Sequence, residues 1–217
     1  FSLEMSTDLL VLRMLCSLAR VNLGDIRDGA LAPSRWQEIT ERGQQLRNAP
    51  IYIDDTGGLD VVELRAKARR MWREHDVKLL VIDYLQLLRP AAGKGDRTRE
   101  NEVSEMSGGI KTLAKELQVP VIVLAQLNRQ AEQAGQRPKL SHLRESGAIE
   151  QDADVVALLH RDRDVEAQGA AQEGMDAELI IAKHRNGPTG IVPLTFLPTY
   201  TRFESRSPIA ESDVPEY

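Results

Sequence analysis

Three polar residues close apolar stretches of this chain, and their types suit the hydrolysis of a phosphate bond. Leu79-Leu80-Val81-Ile82-Asp83 is a continuous apolar run ending in a carboxylate. A carboxylate at the end of a strand can hold Mg2+, directly or through water. Glu4 follows the short opening Phe1-Ser2-Leu3 and can act as the general base that activates a water molecule. Gln126 follows the apolar residues 119–125, and its amide can sense a γ-phosphate. Each has an ordinary alternative: a capping Asp, a surface Glu beside a helix start, an amide that opens a loop. In parallel sheets, however, ligands sit beyond the carboxyl ends of the strands, which puts Glu4, Asp83 and Gln126 on one rim. That shared rim makes nucleotide hydrolysis the sharper reading.

Such a site also needs a loop that cradles phosphates, with the pattern G-x-x-x-x-G-K-[ST]. The only Gly-Lys candidate is Gly93-Lys94, with Leu88 where the first Gly belongs and Gly95 in place of Ser or Thr. The motif is absent from the chain. Residues 1–4 read as the inside of a strand, so the expectation is that the phosphate loop lies upstream. This chain alone is then expected to bind ATP poorly and to hydrolyse it negligibly, because the backbone N–H cradle and the lysine charge are both missing.

The elements that must position the rim alternate between strand and helix. Ser6-Thr7-Asp8 reads as an N-cap cluster for a largely buried helix with Leu9, Leu12, Met14, Leu15 and Leu18. Pro33-Ser34 opens a helix with Trp36, Ile39 and Leu46 on one side, closing near Asn48-Ala49-Pro50. Residues 51–54 read as a short strand. Asp60 with Glu63 predicts a capping box for a basic helix to about His75. The run 79–83 reads as a parallel strand buried on both faces. A polar loop over 90–99 leads to a helix from about Glu100 to Leu117, with Val103, Met106, Ile110, Leu113 and Leu117 at helical spacing. Two glycines, Gly108 and Gly109, sit inside it at a cost of roughly 1 kcal/mol each against Ala.

Residues 119–125 read as a second buried strand, followed by a loop of about a dozen residues and a short helix over 146–151. The strand 154–159 and the hairpin of 177–182 with 191–196 complete the sheet, the hairpin turning at Asn186-Gly187-Pro188. The tail from Ser205 is polar and reads as disordered. These elements make an α/β domain over residues 1–204, with a mainly parallel sheet and an antiparallel edge.

Composition bounds the possibilities. A chain of 217 residues with 41% hydrophobic residues suffices for one domain with a real core. One cysteine excludes an internal disulfide scaffold and favours a reducing cytoplasm. No apolar run reaches membrane-span length. With 28 Lys and Arg against 33 Asp and Glu, the net charge of −5 leaves no global basic field for nucleic acid, only local basic clusters.

Six segments together resemble one family. They are Phe1-Ser-Leu-Glu-Met-Ser, Ile51-Tyr-Ile-Asp-Asp-Thr, Val81-Ile-Asp-Tyr-Leu-Gln-Leu, Pro120-Val-Ile-Val-Leu-Ala-Gln-Leu-Asn-Arg, Leu143-Arg-Glu-Ser-Gly-Ala-Ile-Glu-Gln-Asp-Ala-Asp and Ala182-Lys-His-Arg-Asn-Gly-Pro-Thr-Gly. In order and interval they resemble the C-terminal motor domain of bacterial replicative DNA helicases of the DnaB type. The resemblance implies a RecA-like P-loop NTPase core that uses ATP and Mg2+, works as a homo-hexamer on single-stranded DNA in the 5′-to-3′ direction, and meets a primase and a helicase loader.

The resemblance also implies roles. Glu4 matches the catalytic glutamate, Asp83 the metal-binding aspartate, and Gln126 the glutamine linking the γ-phosphate to the DNA-binding loops. Arg13 matches an arginine close to the nucleotide. Arg144, Glu145 and Gly147 match positions that follow the DNA backbone. Lys183 and Arg185, with His184 between them, resemble a pair that reaches the neighbouring subunit's nucleotide, Arg185 as the arginine finger. Arg185 is expected at the end of an edge strand, its guanidinium projecting away from its own sheet. Two alternatives stand beside the helicase: another RecA-type ATPase, and a catalytically silent module that binds DNA or sister subunits. A Gly-Lys-[Ser/Thr] loop one βα unit before Phe1 separates the last from the first.

Overall fold

The computed structural model describes residues 1–90, 98–127, 137–161 and 174–206, the side chains of 144–146 excepted. Asp60 accepts hydrogen bonds from the N–H groups of Val62 and Glu63, and Glu63 accepts one from the N–H of Asp60, so the expected capping box forms. The helices preceding it are α1 (Thr7–Ala19), α2 (Leu23–Arg27) and α3 (Pro33–Asn48), and the box opens α4 (Val61–His75). The first parallel strand, β1 (Leu80–Ile82), is followed by α5 (Arg99–Leu117) and β2 (Val121–Val123). Leu64 and Ala68 of α4, Met106, Ile110 and Leu113 of α5, and Leu80 and Ile82 of β1 form the main core. In β1 and β2 Leu80 stands beside Val121 and Ile82 beside Val123.

The other face of this sheet differs from the expectation. Leu79, Val81, Ile122 and Leu124 are 46%, 41%, 52% and 43% exposed. Side chains alternate between the faces of a strand, so Val81 and Ile122 point opposite to the buried set. No described element covers them.

Residues 1–3 run parallel beside β1: the N–H of Asp83 donates to the carbonyl of Phe1 at 2.9 Å, and that of Leu3 to the carbonyl of Asp83 at 2.7 Å. The strand expected over 51–54 does not form. Its link to this segment is one bond, from the N–H of Ser2 to the carbonyl of Asp54 at 2.9 Å, and a single bond makes no ladder. Ile51 and Tyr52 are exposed, and the Tyr52 ring stacks on His75 with centroids 3.9 Å apart.

Ser6 occupies the N-cap of α1, but its side chain makes no capping bond; the carboxylate of Asp55 accepts from the N–H of Thr7 instead, at 2.7 Å. Of α1 only Cys16 and Ala19 are buried, fewer than expected, because α1 packs mainly on α3 around a small cluster of Ala19, Val21 and Ile39. Trp36, expected on the packed side of α3, is 52% exposed. Helix α2 is not expected from the sequence; the Asn22 side chain caps it by accepting from the N–H of Gly24.

Beyond β2, a 3₁₀ segment (Leu140–Ser146) leads into α6 (Gly147–Asp152). Then come β3 (Val155–Arg161), β4 (Met175–His184), β5 (Gly190–Leu197) and β6 (Arg202–Ser205), antiparallel in the order β3-β4-β5-β6. The hairpin of β4 and β5 forms where turn chemistry placed it. The antiparallel part is larger than a hairpin, since β3 joins it on one side and β6 on the other. Ser205, read as the start of the tail, belongs to β6, where Phe203 packs on Phe196 with centroids 4.7 Å apart. The expected tail disorder over 207–217 and the Gly93-Lys94 pair lie outside the described residues.

Candidate active site

The backbone exchange between residues 1–3 and β1 carries Glu4 and Asp83 to the same end of neighbouring chains. Glu4 is exposed one residue after Leu3; Asp83 is partly buried at the carboxyl end of β1. Gln126 is exposed beyond β2, on the far side of β1. The rim expected from strand ends therefore exists. Gln126 is held by a residue the sequence reading passed over: the amide nitrogen of Gln86 donates to the carbonyl of Gln126, and its amide oxygen accepts from the N–H of Gln126, both at 3.2 Å. Arg99 in turn donates to the carbonyl of Gln86 at 2.8 Å. A polar Gln between two leucines in Leu85-Gln86-Leu87 was the available signal.

A second support lies under Ser2. Lys67 of α4 donates to the Asp54 carboxylate at 2.7 Å and to the Thr56 hydroxyl at 2.9 Å. Burial pushes the Asp54 carboxyl up, but hydrogen bonds to Lys67 and Thr56 outweigh it and hold the group below the usual carboxylate range. Asp54 is thus anchored to α4 while its carbonyl holds Ser2.

The donor set suits Mg2+ that arrives with phosphate. Among the described residues, no group of three or more His, Cys, Asp or Glu could hold a metal ion by itself. Mg2+ typically uses one or two protein carboxylates and keeps phosphate and water as further ligands, which Asp83 with neighbouring Glu4 can accommodate.

Arg13 is exposed on α1, about 9 Å along the axis from its first residue. No described contact joins it to Glu4 or Asp83.

The basic triplet at the end of β4 is built differently from the expectation. In the order β3-β4-β5-β6 the edge strands are β3 and β6, so β4 is internal. Arg185 does not project freely: its backbone N–H donates to the carbonyl of Asp154 at 2.8 Å, and its guanidinium donates to the carbonyl of Gln151. Lys183 donates to the carbonyl of Glu150. The last carbonyls of a helix have no partner within it, and these two cations occupy those of α6. His184 accepts the N–H of Asn186 through Nδ1 at 3.2 Å, its ring so close to Gly187 that a Cβ there would lie 2.8 Å from the ring.

Asp154 joins the cluster to α5. Its carboxylate lies 2.5 Å from the Lys111 ammonium and 3.5 Å from the Arg185 guanidinium. The hydrogen bond from Lys111 holds its carboxyl below the usual range, with Arg185 and Lys183 adding to the effect. Ser107, buried on α5, donates to Asp152 at 2.7 Å. Lys111 and Asp154 are 43 residues apart, which no local pattern reveals. Arg144 and Glu145 lie in the 3₁₀ segment and Gly147 opens α6, so these three stand at the start of the helix whose far end holds Lys183 and Arg185.

Residues 1–205 match the profile of the DnaB-like helicase C terminal domain. The chain is 48% identical over 204 residues to the replicative DNA helicase DnaB of Geobacillus stearothermophilus, covering 94% of the chain and 44% of that protein. It is 47% identical over 204 residues to the replicative DNA helicase DnaC of Bacillus subtilis (strain 168), covering 94% of the chain and 44% of that protein. The chain thus spans less than half the length of these relatives. Among solved structures, one described as an ATPase domain superposes with a TM-score of 0.85 at 37% identity, over 95% of this chain and 73% of that one. A DnaB-like replicative helicase, described with its interactions with primase, superposes with a TM-score of 0.84 at 39% identity, over 93% and 48%.

Proposed function

The chain belongs to the DnaB-like helicase C-terminal domain family, and on that premise we propose that it is the ATP-driven motor of a replicative DNA helicase, a piece of a longer protein. The observation that carries this reading is the pairing of residues 1–3 with β1, which sets Glu4 beside Asp83 at one sheet end. Glu4 takes the proton of the attacking water, and Asp83 holds Mg2+, which supplies charge neutralisation at the phosphates when bound. Gln126, steadied by Gln86, reads the γ-phosphate and relays its presence toward the DNA-binding segment. Arg13 lies toward the nucleotide. Arg144, Glu145 and Gly147 follow the DNA backbone, where contacts carry no base information.

Lys183, His184 and Arg185 serve the nucleotide of the neighbouring subunit in a homo-hexamer that moves 5′ to 3′ on single-stranded DNA, with Arg185 as the arginine finger. Arginine suits this because its charge is permanent and its fork matches phosphate. Primase and a helicase loader are the proposed partners, in the cytoplasm. The open apolar face of Leu79, Val81, Ile122 and Leu124 supports a missing covering layer, since parallel sheets are covered on both faces. The phosphate loop belongs to the segment that supplies it.

The test is made in the longer protein that carries a phosphate loop. Glu4→Gln and Arg185→Ala subunits are each expected to lose on the order of 10³-fold or more in turnover. Mixed rings should regain ATPase activity at interfaces where an intact Glu4 faces an intact Arg185. Mixed rings that form and stay inactive overturn the trans assignment.

A further inference from the structure

Arg185 of this chain is held at its root by its own subunit while its side chain stays 46% exposed. Three groups hold it: the carbonyl of Gln151, the carbonyl of Asp154 and the Asp154 carboxylate. The carboxylate is also bonded to Lys111, whose helix α5 is anchored in the main core through Met106, Ile110 and Leu113. Without that carboxylate, the Lys111 ammonium and the Arg185 guanidinium would lie close together with nothing between them to compensate like charge. The guanidinium would then swing toward water and lose its fixed direction.

We propose that Asp154 is a positioning residue that aims Arg185 at the neighbouring subunit's phosphates. This rests on the reading of Arg185 as a finger. It goes beyond that reading by assigning a residue with no contact to substrate. A finger works only if it is already in place when charge develops, because the cost of orienting it then falls outside the chemical step. The guanidinium bonds the fixed carbonyl of Gln151 and pairs with a carboxylate shared with the core, and the backbone N–H bonds the carbonyl of Asp154, so the fork is held from its own subunit while nearly half of the side chain stays in water.

The experiment uses the full-length protein in rings and measures steady-state ATPase activity. Asp154→Asn is expected to lower kcat about ten- to a hundredfold, as a small misplacement does, with KM for ATP changed less than about twofold. Adding Asp154→Asn to Arg185→Ala should cause no further loss, because the first acts through the second. Mixed rings of Asp154→Asn with Glu4→Gln subunits should regain activity, and mixed rings with Arg185→Ala should not; a general loss of structure would not sort by partner in this way. Lys111→Met leaves the Asp154–Arg185 contact and should keep kcat within about threefold.

Additive losses overturn the proposal, as does a Lys111→Met loss equal to that of Asp154→Asn, which would make the strut to α5 structural. If Asp154→Asn rings do not assemble, Asp154→Ser is read in the same way, and failure of both makes Asp154 structural and overturns the proposal. Full turnover by Arg185→Ala rings would remove the finger reading itself, an outcome distinct from all of these.

Discussion

Gln86 meets Gln126 with both ends of its amide, donating to the carbonyl and accepting from the N–H. The side chain imitates a strand neighbour and fixes the backbone from which the Gln126 amide projects. Each such bond contributes about 1 kcal/mol or less at an exposed site. That is too little to matter for folding but enough to matter for aim. Gln86→Ala in the full-length protein is expected to leave ATP affinity within about twofold and to abolish most of the stimulation of ATPase activity by single-stranded DNA. Titration of turnover against DNA checks this; undiminished stimulation would detach Gln86 from the relay. The sequence alone marked Gln126 by its place after an apolar run. Gln86 lies 40 residues earlier, in the short 3₁₀ helix Leu85–Leu87, and its partner is visible only when β1 and β2 stand side by side.

Gly109 finds its reason at the scale of elements, and Gly108 does not. Helix α5 lies so close to α4 at Gly109 that a Cβ there would sit 2.8 Å from Val61 Cγ2, whereas nothing lies within 4 Å of one at Gly108. Val61 is buried, so it has little room to retreat. Gly109→Ala is therefore expected to destabilise the chain by about 1–3 kcal/mol through overpacking, less up to about 1 kcal/mol gained in helix propensity. Gly108→Ala should stabilise by about 0.5–1 kcal/mol. Denaturant midpoints separate the two, and Val61→Ala should make Gly109→Ala milder.

The same pair of helices is clasped at its surface. Arg69 meets Glu116 in a two-bond fork of 2.6 and 2.7 Å. The hydrogen bond from Arg69 holds the Glu116 carboxyl below its usual range, and Arg65 adds to this. A carboxyl whose folded value is depressed stabilises fully above its unfolded value, about 4.3, and that contribution is lost as the pH falls through the folded value. Arg69→Met should thus lower Tm at pH 7 but approach the parent's Tm below about pH 3; melts at both pH values check it.

At the scale of the whole molecule, the described elements cover one face of the parallel sheet and leave the other open. Leu64, Met106, Leu113 and Ile82 fill the covered side. Leu79, Val81, Ile122 and Leu124 leave an apolar patch on the other, and patches of that kind mark surfaces made to be covered. The 217-residue chain alone is expected to bind a dye for exposed apolar surface and to hydrolyse ATP negligibly. The longer protein with a phosphate loop should bind little dye and turn over ATP. Robust turnover by the short chain would overturn the reading of it as a motor part whose phosphate cradle lies elsewhere.

What the sequence by itself determined was local. The capping box at Asp60 and Glu63, the periodic stripe of α5, the Asn186-Gly187-Pro188 turn and the carboxylate closing 79–83 each arise from residues a few positions apart, where spacing dictates the contact. The six-segment resemblance drew on the same local strings. The tertiary structure decided what distance in sequence hides. Residues 51–54 have strand composition but only one described backbone bond to another segment, so they stay irregular. Ser205 reads as the start of the tail, yet it closes β6 because β5 offers residues 202–205 an open edge. Arg185 reads as a freely projecting finger, but the carbonyl of Gln151 at the end of α6 and the carboxylate of Asp154 hold its guanidinium in one place. A lone hydrogen-bonding group takes whichever partner the fold brings within about 3 Å, and which partner that is follows from the packing of helices and sheets rather than from neighbours along the chain.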